Sequence, residues 1–336
     1  MKKRLFGTYT LLLIASFVLI IVSCKKDGCT DPIATNYDDK AKKDDGSCQY
    51  ASIDPYVEMT NYMKTNNLDL DDLTTDWVIP ASDLSTQLST YYIIDLRDAV
   101  DYNLGHIPGA VNCTLANIVD QAANNGGKPI VVVCYTGQAA GHGHVALRLS
   151  GYNSKILKFG MSSWHTDFDK WTANVGNIAT TSTNWSSTNT LETPVSFSVS
   201  SFTSTSTTGE AILAERVDYM LSLGFKGVNA SDVLATPSNY FINNYWTEAD
   251  VNTYGHIKTA YRIKENLTLA NDGFKNLDKD DQVVTYCWTG QTSSVVTAYL
   301  TVLGYDAVSL KFGTNSMIYD ALLVNKWTGS GTYAYE

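Results

Sequence analysis

Two stretches of this chain run a β-rich apolar segment into a thiol. Ile130-Val131-Val132-Val133 stops at Cys134 and continues as Tyr135-Thr136-Gly137-Gln138; Gln282-Val283-Val284-Thr285-Tyr286 stops at Cys287 and continues as Trp288-Thr289-Gly290-Gln291. The chemistry open to such a residue is nucleophilic, because the thiolate rather than the thiol attacks. A sulfur at the end of a strand, with peptide N–H groups curling around it and a helix opening behind, sits in an anion nest, and this is expected to favour the thiolate. Cys134 and Cys287 are therefore the candidate nucleophiles. Tyr135, Thr136, Gly137, Gln138 and Ala139 form one cradle, and Trp288, Thr289, Gly290, Gln291 and Thr292 the other. Gly137 and Gly290 allow positive φ at the bend, and Gln138 and Gln291 are placed to hydrogen-bond substrate oxygens.

The elements that must position these loops occur twice. Tyr62-Met63, Tyr91 to Asp98 and Gly105-His106-Ile107 recur in order as Tyr219-Met220, Tyr240 to Asn244 and Gly255-His256-Ile257. Beyond the cysteines the spacing is constant: Cys134 and Cys287, Gly151-Tyr152 and Gly304-Tyr305, and Leu157-Lys158-Phe159-Gly160 and Leu310-Lys311-Phe312-Gly313 all lie 153 residues apart. That regularity is an internal duplication. Strands alternating with helical patterns imply βαβ units, an α/β class and a mainly parallel sheet in each copy. The stretch between the copies is rich in Ser, Thr and Asn, which predicts a linker, with Val195, Phe197 and Val199 as one extended piece against a domain.

At 336 residues, 44% hydrophobic, the chain is long enough for two cores. A formal charge of -10 offers no basic field for phosphate backbones, so nucleic acid is not an expected partner. Lys2, Lys3 and Arg4 precede an apolar run from Leu11 to Val22, the length of an export signal rather than of a membrane span. Ile21-Val22-Ser23-Cys24 resembles a bacterial lipobox, which implies lipid on Cys24 and a membrane anchor worth ~0.8 kcal/mol per buried CH₂. The expected location is the cell envelope of a Gram-negative-type bacterium, facing the periplasm or the surface. Next, Gly28-Cys29-Thr30-Asp31-Pro32 followed by Asp44-Asp45-Gly46-Ser47-Cys48 resembles a Cys-bounded motif of secreted bacterial proteins. In an oxidising compartment Cys29 and Cys48 are natural disulfide partners, worth ~3 kcal/mol in the chain-entropy model. Asp38, Asp39, Asp44 and Asp45 lack EF-hand spacing and read as solvated turns. The expected domains are a signal peptide at 1–24, an acidic spacer module at 25–50, a first domain at 51–172, a linker at 173–209 and a second domain at 210–336.

Asp95-x-Arg97 at a strand end, Gly105-His106-Ile107-Pro108-Gly109-Ala110, Cys134-x-x-Gly137 and Lys158-Phe159-Gly160-Met161-Ser162-Ser163-Trp164 together resemble the rhodanese family of sulfurtransferases, and the second half is a degraded copy. The resemblance covers roughly residues 60–170 and 210–328. It implies two rhodanese-like domains, each a mainly parallel central sheet flanked by helices. It also implies a cysteine persulfide that takes sulfur from a small anionic donor such as thiosulfate and passes it to cyanide or a thiol, with no cofactor and no metal. Two half-reactions of this kind imply ping-pong kinetics. Asp95, Arg97 and His106 occupy supporting positions. The arginine that the family loop often carries five residues after the cysteine is replaced by Ala139 and Thr292. The second half has Asn244 and Trp246 in place of Asp95 and Arg97, and Met317 in place of Trp164.

Related phosphatases need an arginine fork six residues after the cysteine, where this chain has Ala140 and Ser293, so that activity is not expected. His142-Gly143-His144 do not face one way on a helix and are expected to be exposed or loosely packed rather than metal-binding. Cys113 is expected to be a buried small residue. Trp164, Trp171, Trp246, Trp288 and Trp327 are expected as core or interface anchors. A second function class stays open beside the enzyme: a catalytically weak rhodanese-like module that holds a partner protein or a sulfur species.

Overall fold

A computed structural model describes residues 26–50, 53–188 and 191–336. The export segment and Cys24 lie outside the described residues. The chain divides into two compact units, Met1–Ile53 and Asp54–Glu336.

In the first unit, Cys29 and Cys48 are joined by a disulfide. Asn36 ties the same loop shut, its side chain donating to Ser47 O and accepting from Gln49 N. The acidic residues form turns: the carboxylates of Asp31, Asp38, Asp44 and Asp45 each accept a peptide N–H two residues on, the local bonding by which Asp competes with regular structure. Among the described residues no three His, Cys, Asp or Glu side chains gather as a metal site.

The second unit holds both copies. In the first, β1 (Val78–Ile79), β2 (Tyr92–Asp95), β3 (Val111–Asn112), β4 (Ile130–Val133) and β5 (Ser154–Leu157) form a parallel sheet of order β1-β5-β4-β2-β3. After the short β6 (Trp185–Ser186), the second copy supplies β7 (Gly227–Val228), β8 (Phe241–Asn244), β9 (His256–Ile257), β10 (Ala260–Tyr261), β11 (Val283–Tyr286) and β12 (Ala307–Leu310). Its parallel sheet, β10-β8-β11-β12-β7, has the same topology. Both central strands are wholly buried, which is why β4 is a continuous β-branched run. Matching rows across the sheets differ in chemistry. Ile94, Val132 and Ile156 align in the first; Asn243, Thr285 and Ser309 replace them in the second.

The helices that start after the two cysteine loops, Gln138–Leu149 and Gln291–Val302, pack on one another and join the copies. The approach is close enough that a Cβ on Gly141 would lie 2.6 Å from Ser294 Oγ. Beside them, Phe159, Trp171 and Trp327 form a buried cluster with Phe312, Trp171 stacking on Trp327 at 5.9 Å and meeting Phe159 edge-on at 4.9 Å. Trp171 and Trp327 are thus interface anchors, and Trp164 and Trp246 are core.

The segment 173–209 is not a free tether. β6 pairs antiparallel with β9, Phe197 N donates to Lys275 O while its ring meets Phe241 edge-on, and Ser200 Oγ donates to Gly304 O. Its polar composition cannot build a core, but an extended strap needs only to lay alternate side chains on a core already made. The C-terminal residues also cross over: Gly331 N, Tyr333 N and Glu336 N donate to Ser163, Trp164 and His106 carbonyls of the first copy. Among the described residues no helix is long and apolar enough to cross a membrane.

Candidate active site

β4 delivers Cys134 to a loop whose backbone is clamped from outside. Met161 N donates to Cys134 O at 2.8 Å and Ser162 N to Tyr135 O at 3.0 Å, which turns the following amides inward. Gly137 N and Ala140 N then donate to Cys134 Sγ at 3.2 and 3.4 Å. The residue is only 6% exposed. Burial pushes the Cys134 thiol up from its ordinary value, against the pull of the Ala140, Thr136 and Gly137 amides, and the charge of Asp95 adds a small push upward. This corrects the expectation of a favoured thiolate: the nest is formed, but a few peptide dipoles do not make up for the water excluded from around the sulfur.

Cys287 is 2% exposed and is equipped differently. Ser293 N donates to its Sγ at 3.3 Å, and the thiol reaches Ser293 Oγ at 3.6 Å. Ser293 Oγ lies 2.8 Å from Ser309 Oγ, which donates to Gly290 O at 3.3 Å. Hydroxyls rotate, so this pair can accept from a thiol or, with both protons turned, donate to a thiolate. In the first copy Ala140 and Ile156 occupy these two places, and no such relay exists there.

The two loops are stitched together. Gln291 Oε1 accepts from Phe159 N of the first copy at 2.8 Å, and Gln138 Oε1 accepts from Phe312 N of the second at 2.8 Å. Each side-chain amide donates to the threonine of its own loop, Gln138 to Thr136 Oγ1 at 3.1 Å and Gln291 to Thr289 Oγ1 at 3.0 Å. The glutamines are therefore spent on the interface rather than free for substrate oxygens. The glycines answer to the same contact. Gly137 has φ 78° and Gly290 φ 76°, and a Cβ on either would lie 2.5 Å from the opposite glutamine's Oε1.

Asp95 and Arg97 make a buried bidentate pair, with Nη2–Oδ2 at 2.7 Å and side chains 1% exposed. Arg97 Nη2 also donates to Gly105 O at 2.7 Å, and its Cζ lies 5.1 Å from the Tyr135 and Phe168 ring centroids. Tyr135 is thus seated on a guanidinium fixed by the strand end. The second copy does this with rings: Trp246 packs on Trp288 at 4.4 Å, while Asn244 Nδ2 donates to Tyr286 Oη at 2.7 Å. His106 stacks on Tyr102 at 3.8 Å and exchanges backbone hydrogen bonds with Glu336, so it braces the Gly105–Ala110 loop rather than the thiol. Ala139 and Thr292 complete the loops without a charge.

His142 and His144 are fully buried, contrary to the expectation of exposure. The helix that carries them lies between its own sheet and the second copy. His142 Nδ1 pairs with Ser294 Oγ at 3.0 Å, and His144 bridges Leu73 O and Ser154 Oγ at 2.9 Å each. Burial drives them down to about 3 and about 4. Cys113 is only partly buried, though burial pushes its thiol up to about 11. Ser309 and Ser294 were not singled out from sequence; the constant offset that sets Ser309 against Ile156 is the signal that would have found the first.

A family model described as a rhodanese-like domain matches residues 80–167 and 236–317, together half of the chain. Thiosulfate sulfurtransferase GlpE of Shewanella oneidensis is 36% identical over 84 residues, covering 24% of this chain and 81% of that protein. Among solved structures, a rhodanese-related protein from Thermoplasma volcanium is 22% identical, over 26% of this chain and 89% of that one, with a TM-score of 0.25. A rhodanese-like domain protein from Staphylococcus aureus is also 22% identical, over 25% and 87%, with a TM-score of 0.24.

Proposed function

The chain belongs to the rhodanese-like domain family and carries the domain twice, and from that premise we propose that it moves sulfane sulfur from a small anionic donor such as thiosulfate, through a cysteine persulfide, to cyanide or a thiol. The observation that carries this reading is a sulfur held in each copy by inward-turned groups of a single loop: two amides on Cys134, and an amide and a hydroxyl on Cys287. In the first half-reaction the thiolate attacks the outer sulfur of thiosulfate. A sulfur–sulfur bond forms to the cysteine, the donor's own sulfur–sulfur bond breaks, and sulfite leaves with the electron pair. In the second, cyanide takes the outer sulfur as thiocyanate and the thiolate returns. The peptide N–H groups turned into each loop suit a sulfur anion, since hydrogen bonds to the charged form favour it. Similarity to a thiosulfate sulfurtransferase supports the same class of chemistry.

The deep burial of both thiols, 6% and 2% exposed, favours a second reading in which the copies hold a partner protein or a sulfur species without turnover. One measurement separates the two. Incubated with thiosulfate, the protein gains the mass of one sulfur atom on Cys134 or Cys287, and cyanide removes it. Absence of that increment on both residues refutes the enzyme. The lipobox-like Ile21-Val22-Ser23-Cys24 supports an envelope location with Cys24 lipid-bearing; loss of palmitate labelling in Cys24→Ser cells checks it.

A further inference from the structure

We infer that the Cys287 loop takes its donor anion in a cleft shared with the first copy, where Lys158 supplies the positive charge that the loop lacks. This rests on the sulfurtransferase reading for the identity of the anion, a small sulfur oxyanion of two negative charges. An open cavity of about 270 Å³ is lined by Trp77 and Lys158 of the first copy and by Trp288, Thr289, Thr292 and Asn325 of the second. Thr292 stands where related loops often place an arginine. A dianion there needs a cation from elsewhere, since removing its water without a charge partner is costly.

Lys158 meets the need in three ways. Among the described residues no carboxylate comes within ion-pair distance of its ammonium group, which lies 5.4 Å from the Phe159 ring centroid, whereas Lys155 nearby in sequence is paired with Asp76. Its backbone is fixed, with Lys158 N donating to Ile79 O at 2.9 Å and Lys158 O accepting from Ser163 Oγ at 2.6 Å. The residue after it is held by the same loop it would serve, because Phe159 N donates to Gln291 Oε1. The backbone that carries the lysine is therefore tied to the second thiol loop. Thr289 Oγ1 accepts from Gln291 Nε2, and among the described residues its own proton is taken by no acceptor, which leaves it to donate to an anion in the cleft.

The test uses the full chain with Cys134→Ser and Cys287→Ser, so that thiosulfate binds without reacting and calorimetry reads affinity alone. Adding Lys158→Met, which removes the charge and keeps an unbranched side chain, is expected to weaken thiosulfate binding about tenfold, the order of one charge-assisted contact, whereas Lys158→Arg retains it. Unchanged circular dichroism shows that the variants are folded. Equal affinity with Lys158→Met overturns the inference, as does absence of binding in the parent while the wild-type chain still acquires sulfur on Cys287. If wild-type protein acquires no sulfur on either cysteine, the sulfurtransferase reading fails; loss of binding on Lys158→Met upholds the anion site even then.

Discussion

Replacing Gln291 by leucine should cost this protein more stability than the same change at Gln138, although the two residues are duplicates. Both glutamines cross the interface to a peptide N–H, Gln291 to Phe159 and Gln138 to Phe312. The Phe159 amide is buried in the aromatic cluster, whereas Phe312 is partly open to solvent, so water can rescue only the second. A buried donor left unpaired costs about 1–3 kcal/mol, and a lost bond to the loop threonine about 1 kcal/mol more. Gln291→Leu should therefore cost about 3 kcal/mol and Gln138→Leu about 1.5 kcal/mol. The double variant should cost less than the sum by at least about 0.5 kcal/mol, because releasing one latch loosens the face that holds the other. Urea titration followed by tryptophan fluorescence is a direct assay, since Trp171 and Trp327 stack within the joint itself. The reasoning is refuted if both single variants stay within about 0.5 kcal/mol of wild type, the range of ordinary surface changes, or if the order of the two is reversed.

Two further outcomes follow from burial. His142 and His144 are neutral in the fold down to about 3 and about 4, but in the unfolded chain they take up protons near the ordinary histidine value. Their contribution is thus fully present above that value and lost as pH falls, by about 2 kcal/mol each at pH ~5; an unfolding midpoint in urea that does not move between pH 7 and 5 contradicts this. For Cys134 the sign is opposite, since its folded value lies above the unfolded one. The stability it contributes is present below the ordinary thiol range and lost as pH rises through and beyond it. Iodoacetamide should accordingly label Cys134 slowly at neutral pH and faster as pH climbs, with a jump on unfolding; labelling at pH ~7 as fast as that of an unfolded-chain thiol would count against it.

Much of this arrangement was legible because it is local or repeated. The β4 run, the Gly137 bend and the constant offset between the copies specify strand, loop and helix from neighbouring residues alone, and the matching topology of the two sheets follows from duplication. What could not be read depends on which surfaces meet. Gln138 carries no mark to say that its acceptor oxygen serves the Phe312 amide of the other copy. His142 and His144 look exposed by helical spacing until a second helix covers the face that spacing leaves open. The strap after Trp171 reads as disorder because its own composition is poor in apolar residues, and the surface that orders it belongs to β8, β9 and β10.

The same comparison changes the meaning of the second copy's departures. Loss of the Asp95–Arg97 pair there looks like decay, yet Trp246 under Trp288 does the mechanical task that Arg97 does under Tyr135. An ion pair and a stacked ring can both fill the space beneath the first loop side chain, although only Arg97 also donates to the Gly105 carbonyl. The changes near the sulfur are of another kind. Ser293 and Ser309 place a reversible hydroxyl pair where the first copy has Ala140 and Ile156, and polar groups are costly in a sheet core unless something is gained. Asn243 Nδ2 and Thr285 Oγ1, without partners among the described residues, belong to the same polar row and show that the cost is real. The serine pair itself is satisfied, bonding to the thiol, to itself and to Gly290 O. The second copy thus sets a hydroxyl pair beside its sulfur, and the first copy supplies the wall to which its loop is latched through Gln291 and the Phe159 amide.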